Sequence, residues 1–251
     1  MEQDTLLKRK LTDLAEKAYQ QNIYTYSNFL SMSELSIYHQ MDSDLRFIPS
    51  STYGGNDACE RQIVQFGSAD LFGYEGTYPI QLIRISPLLA KFSDTLTHRD
   101  FLGAILNLGI DRSLIGDIII RNNCGYVFCM DHIADYILDN LTKIKHTNIK
   151  CEYCDQNLSD IKPHIEHIEC IAASNRIDAV AATLTKLSRS KVIELFRTQK
   201  IFINGKVMEN NSYMLKPNDI LVIRGLGKFI YDGCGNETRK GRMYVQLQKY
   251  I

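Results

Sequence analysis

Apolar residues recur at helical spacing near the start of the chain. Leu7, Leu11, Leu14, Ala15 and Ala18 predict an amphipathic helix over residues 4–20. A second helix is expected over 27–41, with Ser27 as N-cap and Phe29, Leu30, Leu35, Ile37 and Tyr38 partly buried. Pro, Ser and Gly-Gly in "FIPSSTYGG" then break the helical period, and "RQIVQF" reads as a strand. "YPIQLIRISP" is a second strand, ended by Pro87. "THRDFLGAILNLGI" is a helix capped at Thr97, with Asp100 near its positive end and Gly109 to close it. "IGDIIIRNNCGYVFCM" is a hairpin turning at Asn-Asn-Cys-Gly, and "DHIADYILDNLTKI" is a helix capped by Asp131. "NIKCEYC" and "HIEHIECIA" read as strands. The order strand, helix, strand, strand, helix, strand predicts a split βαβ sandwich.

Beyond residue 173 the pattern changes. "IDAVAATLTKL" and "RSKVIELFRTQ" predict two short helices, with Ser188 as N-cap of the second and Val192, Ile193 and Phe196 on one face. "IFINGKVM" is a hairpin, and "DILVIRG" and "MYVQLQKY" are strands, with Gly-rich turns between them. The expected class is α+β in three parts: an N-terminal helical segment with short strands (1–75), a split βαβ domain (76–173), and a C-terminal domain of two short helices on a small antiparallel sheet (174–251).

Composition narrows the picture. The chain has 251 residues, 45% hydrophobic and 23% charged, as expected of a folded protein. No apolar run approaches the ~20 residues that span a bilayer, and the N-terminus lacks the order of a secretory signal, so a cytoplasmic protein is expected. Its seven cysteines, an odd number, read as reduced thiols.

The zero net charge conceals a split. Residues 176–251 hold 14 Lys and Arg against 6 Asp and Glu, a net +8, and the preceding 175 residues carry the balancing −8. A basic module on an acidic body points to a polyanionic partner. The cations come from a helix start (Arg189, Lys191), a turn (Lys206) and strand ends (Arg224, Lys228), with Arg239, Lys240 and Arg242 in "TRKGR" as an auxiliary cluster. A platform of this kind suits structured RNA, which is recognised through shape, phosphates and 2′-hydroxyls.

The segment "RIDAVAATLTKLSRSKVIELFRTQKIFINGKV...LKPNDILVIRGLGKF" resembles the S4 RNA-binding domain. The resemblance is carried by Arg176-Ile177-Asp178, Ser188-Arg189, the run Ile201-Phe202-Ile203-Asn204-Gly205, and Asn218-Asp219. It implies that Arg176, Ser188, Arg189, Lys191 and Arg197 face RNA. Two departures stand out. Lys200 replaces the Gly that precedes the Asn-Gly hairpin, which adds a cation but would cost about 1 kcal/mol if the backbone there is left-handed. Asn218 replaces the usual Gly before Asp219, a mild change because Asn tolerates positive φ.

With "YGGNDACERQIVQF", "RDFLGAILNLGIDRSLIGDIII" and "GKFIYDGCGNETRKGRMYVQLQKY", nearly the whole chain resembles the YlmH family of S4-domain RNA-binding proteins. That resemblance implies an RRM-like middle domain between a helical N-terminal part and the S4 domain, docking on the large ribosomal subunit, near ribosomal RNA and tRNA, and a part in quality control of stalled peptidyl-tRNA. The acidic N-terminal and middle parts are not expected to bind RNA broadly; contact with ribosomal proteins, or a grip on one RNA edge, is expected of them. No membrane, small-molecule substrate or cofactor is implied.

Other residue clusters suggest other chemistry. Cys151 and Cys154 have zinc-ligand spacing and precede His164, His167 and Cys170, but residues i and i+3 of a strand diverge, so free thiols and solvated histidines are preferred. Asp94, His98 and Asp100 cluster at a helix start, where capping is the expected role. Tyr126 and Phe128 share one strand face, as base-stacking aromatics would, although strand aromatics are mostly core. The alternative function is an RNA-modifying enzyme, a pseudouridine synthase or rRNA methyltransferase targeted by its S4 segment. Arg176-Ile177-Asp178 is the nearest match to a synthase motif, and no Gly-rich loop follows a strand.

Overall fold

The computed structural model describes residues 2–154, 165–239 and 241–250. The chain divides into two compact units, Met1–Lys162 and Pro163–Ile251.

The first unit opens with α1 (Glu2–Gln21), β1 (Thr25–Tyr26), α2 (Met32–Gln40), β2 (Ser50–Tyr53), β3 (Ile63–Phe66) and the short α3 (Ala69–Phe72). α1 buries Leu11, Ala15 and Ala18 of its predicted stripe, against a core that includes Leu35, Val64 and Phe66. α2 starts later than expected. Its N-cap is Ser31, paired with Glu34 in a capping box. Ser27 is instead buried, and its hydroxyl accepts from the Val64 amide at 2.9 Å, fastening β1 to the sheet. The three strands pair antiparallel in the order β1-β3-β2.

A second sheet follows, built from β4 (Ile80–Pro87), α4 (His98–Leu106), β5 (Ile115–Arg121), β6 (Cys124–Met130), α5 (Ala134–Asn140), β7 (Lys143–Ile144) and β8 (Thr147–Tyr153). Its strands are antiparallel in the order β5-β6-β4-β8-β7. The β5–β6 turn places Asn122 and Asn123 at φ 48° and 62°, a left-handed pair that asparagine tolerates. α4 carries the expected cap: Asp100 accepts from the Thr97 amide at 2.8 Å and from its hydroxyl at 2.6 Å. α5 is shorter than predicted. A 3₁₀ turn occupies Asp131–Ile133, and the Asp131 carboxylate accepts from the adjacent His132 amide rather than capping a longer helix.

Period-2 alternation sends Ile83, Ile85 and Val127 into one core with Phe101 and Ile105 of α4 and Ile137 of α5. Phe128 faces the other way, yet is also buried. Gly55 lies flat on its ring, where any Cβ would collide, and Phe29 packs on Gly116 in the same way. The Asp117 carboxylate accepts from the Glu60 and Arg61 amides, and the Arg61 guanidinium donates to the Phe29 and Ile115 carbonyls, both at 2.9 Å. The N-terminal strands and their loop thus cover this end of the sheet.

The second unit contains β9 (Ile165–Ala172), α6 (Ile177–Thr185), α7 (Arg189–Arg197), β10 (Ile201–Ile203), β11 (Lys206–Val207), β12 (Ile220–Ile223), β13 (Gly227–Glu237) and β14 (Met243–Tyr250). Its strands form one antiparallel sheet in the order β11-β10-β12-β13-β14-β9. The Gly-rich stretch expected as turns is instead the long strand β13, whose ladder with β14 shifts register after Tyr231 and after Cys234. Ile201, Ile203, Leu221, Ile223, Phe229, Val245 and Leu247 form a core with Ile177 and Val180 of α6 and Val192 and Phe196 of α7. Burying side chains such as Val192 and Phe196 contributes about 1.5–3 kcal/mol each. The chain is of the mixed α+β class expected from its pattern. Among the described residues, no helix is long and apolar enough to cross a membrane.

Candidate nucleic-acid interface

The cations singled out by charge lie in the second unit, and α7 sets most of them. α6 ends at Lys186, which takes a left-handed φ of 56° and lets the chain reverse into Ser188. Ser188 is the N-cap of α7 by its extended backbone, as expected. Its hydroxyl, however, makes no capping bond and lies 3.1 Å from that of Ser190. Val192 and Phe196 turn the helix so that Arg189, Lys191, Glu194 and Arg197 face solvent. Among the described residues, the side chains of Arg189, Lys191 and Arg197 make no hydrogen bond or ion pair, and the same holds for Lys200 and Lys206.

The anticipated strain at Lys200 is absent. The left-handed residue after α7 is Gln199, at φ 51°, so the helix closes one position earlier than the family pattern implies. Lys200 keeps an ordinary conformation. Its amide donates to the Leu195 carbonyl and its carbonyl accepts from the Arg224 amide, at 2.9 and 2.8 Å.

The β10–β11 turn is braced from beneath. Asn204 and Gly205 have φ of 51° and 76°, the pair a tight type I′ turn requires. The Asn204 carboxamide donates to Asp219 and accepts from the Ile220 amide, each at 2.9 Å. Asp219, 6% exposed, also accepts from the Tyr213 hydroxyl and the Lys216 amide at 3.0 and 2.8 Å. Burial and then this carboxylate push the Tyr213 phenol above its ordinary value. Asn218 takes φ 71°, the left-handed geometry its amide side chain tolerates. The network fixes the base of the hairpin that carries Lys206, which is exposed at its edge.

The remaining predicted cations are differently placed. The Arg176 guanidinium forks onto Asp178 at 3.1 and 2.9 Å and reaches the Ser212 hydroxyl at 2.9 Å, tying the start of α6 to the segment before β12. Phe202, Val222 and Lys228 stand in register on the sheet face opposite α6 and α7. There the Arg224 guanidinium lies 5.3 Å from the centre of the Phe202 ring, and the Lys228 ammonium 4.8 Å from that of Tyr250. Lys228 is only 9% exposed. Arg239 and Arg242 are exposed in the β13–β14 turn, held by Thr238, whose amide donates to the Arg242 carbonyl and whose hydroxyl accepts from the Arg242 amide. Lys240 lies outside the described residues. The structure therefore gathers Ser188, Arg189, Lys191, Arg197 and Lys200 on and just after α7, with Lys206 on its own turn and Arg224 and Lys228 on the opposite sheet face.

Cys151, Asp94, Asp100 and Phe128 take structural roles. Cys151 ends up half-buried on β8, its thiol 3.4 Å from the Leu141 carbonyl and pushed up to about 12 by burial. His167 and Cys170 alternate across β9, paired with Gln248 and Val245 of β14, and His164 lies outside the described residues. Among the described residues, no three His, Cys, Asp or Glu side chains converge as metal ligands would. Asp94 accepts from the His146 amide and the Thr147 hydroxyl, while Asp100 caps α4, so the two carboxylates brace different elements. Phe128 is sealed in the core and Tyr126 is half-buried beside it. Sequence reasoning missed this cover. Its one local signal was Gly54-Gly55, where the chain passes too close to other groups for any side chain.

Residues 74–158 match a family model described as "Putative RNA-binding domain in YlmH". One relative, "Ribosome-associated protein quality control protein P2" of Bacillus subtilis (strain 168), is 26% identical over 202 residues, covering 78% of this chain and 76% of that protein. Among solved structures, "Cell division protein ylmH from Streptococcus pneumoniae" superimposes with a TM-score of 0.50 at 20% identity, covering 63% of this chain and 93% of that one, a likeness of fold.

Proposed function

We propose that this chain is a non-enzymatic RNA-binding protein of the YlmH type. Its second unit is an S4 domain that docks on structured ribosomal RNA and tRNA of the large ribosomal subunit. The observation that carries this reading is the set of exposed cations Arg189, Lys191, Arg197 and Lys200 on α7 and at its exit, which flank the exposed Glu194 and make no ion pair among the described residues. Unpaired cations at fixed positions neutralise phosphates without first having to break an internal ion pair. Lys206, Arg239 and Arg242 extend the contact. Arg176, clamped to Asp178, positions α6, and Lys228 supports the far face of the sheet.

The order β5-β6-β4-β8, with both helices on one face, supports an RRM-like reading of the middle strands. The name of the Bacillus relative supports a role in ribosome-associated quality control, here on stalled peptidyl-tRNA in the cytoplasm, with ribosomal proteins as further contacts. A crosslinking map of the full chain on ribosomes tests the reading. Crosslinks from α7 to large-subunit RNA or tRNA are expected. A protein that crosslinks to no RNA, or whose deletion strips a modification from ribosomal RNA, contradicts it.

A further inference from the structure

The first unit also carries cations that face solvent, and they converge away from the sheet face on which an RRM-like domain would be expected to stack bases. Phe128 on that face is sealed beneath Gly55, and on its open part Arg84 and Lys150 both pair with Glu152, at 3.2 and 2.7 Å. On the helical side, α4, the end of α5 and β7 border a cleft of about 420 Å³. Its wall includes Gly103, where an added Cβ would meet nothing within 4 Å. Arg99 lies one helical turn before Gly103, and Lys143 and Lys145 stand across on β7 and its turn. Among the described residues, neither the Arg99 nor the Lys143 side chain has a hydrogen bond or ion pair.

Lys145 is held from two sides. It takes φ 53° in the two-residue β7–β8 turn, a conformation that favours glycine. Its ammonium sits 2.7 Å from Asp100, which Thr97 also engages, and the next amide, of His146, donates to Asp94 at 3.1 Å. Two carboxylates thus brace a turn that projects one lysine on the cleft rim and presents Lys143 beside it. Three cations face one carboxylate, and that carboxylate is already occupied. Among the described residues, the wall includes no aromatic side chain on which a base would stack. The chemistry is that of phosphate recognition without base reading.

We propose that this cleft is a second RNA-backbone site, in which Arg99, Lys143 and Lys145 hold phosphodiester groups. The proposal rests on the RNA-binding reading above and locates a contact within the segment that matches the family model. It is tested with the full chain and a transcript of large-subunit ribosomal RNA, titrated over a range of salt. Gly103→Glu puts a carboxylate into the cleft, and Gly103→Gln matches its bulk without the charge. Both replace a helical glycine whose Cβ direction is open, so an unchanged circular dichroism spectrum is expected of each. Gly103→Glu should weaken binding about tenfold at low salt, well beyond Gly103→Gln. Arg99→Ala with Lys143→Ala should reduce the slope of log K against log salt by about two. If these variants bind like the parent while Arg189→Ala with Lys191→Ala loses affinity, the cleft proposal is overturned and the function stands. If the parent itself does not bind the transcript, both fall.

Discussion

The Asn204 carboxamide donates to the Asp219 carboxylate at 2.9 Å, joining the turn of one hairpin to the residue that precedes the next strand. Asp219 is buried and receives two further donors, so the pair forms the floor under the exposed hairpin. Asp219→Ala would strand the Asn204 amide, the Tyr213 hydroxyl and the Lys216 amide at once. A loss of about 2 kcal/mol is expected for the second unit, because three part-buried hydrogen bonds, each contributing about 0.5–1.5 kcal/mol, depend on this one carboxylate. Hydrogen exchange at the Ile220 amide, which donates to Asn204, should accelerate in step. Unchanged protection would show that the network is not what fixes the hairpin.

The helix closure after α7 gives a two-variant contrast. Gln199 has the left-handed φ and Lys200 does not. Gln199→Gly should therefore stabilise the unit by about 0.5–1 kcal/mol, by relieving strain at that position. Lys200→Gly should give no such gain, since it only adds freedom to the unfolded chain. Denaturant titration of the two variants distinguishes them, and the opposite ranking would contradict the observed closure.

How much of the structure was legible in the sequence differs between such positions. The stripe of α1, the Thr97–Asp100 cap, the β5–β6 hairpin and the Asn204-Gly205 turn are local, and local residue chemistry declares them. The shift of helix closure from residue 200 to 199 is not, because it depends on how the Lys200 carbonyl meets the Arg224 amide of a later strand. β9 reads as a strand from its residues, but nothing in them names β14 as its partner. The cover over Phe128 was equally hidden, since a glycine pair marks a close approach without saying what is approached. For the interface, charge found the cations, but only the fold distinguishes Arg189 and Lys191, which point into solvent, from Arg176 and Lys228, which are held by Asp178 and Tyr250.

The Lys145 ammonium and the Thr97 donors hold Asp100 at about 2, below the ordinary 3.8. A carboxylate depressed in the folded state contributes its stability above about pH 4 and loses it as pH falls through about 2. The Asp100 carboxyl resonance should titrate near 2, and Asp100→Asn should flatten the acid limb of the stability profile in that window. A midpoint near 3.8 would show that the brace under the β7–β8 turn does not form.

The cysteines should differ sharply in reactivity. Burial pushes Cys129 and Cys151 up to about 12, far from the thiolate form, whereas Cys234 is exposed. With a disulfide-exchange reagent at pH 8, Cys234 should be labelled in the folded protein, and Cys129 and Cys151 only after denaturation. Prompt labelling of Cys129 would contradict the packing of β6.

The most direct test of the α7 interface is the salt dependence of binding to large ribosomal subunits by the parent and by Arg189→Ala with Lys191→Ala. Each cation that no longer neutralises a phosphate takes about one unit off the slope of log K against log salt. Weaker co-sedimentation and a slope shallower by about two are predicted for the double variant. Equal affinity and equal slope in the two proteins would show that the α7 cations do not meet RNA.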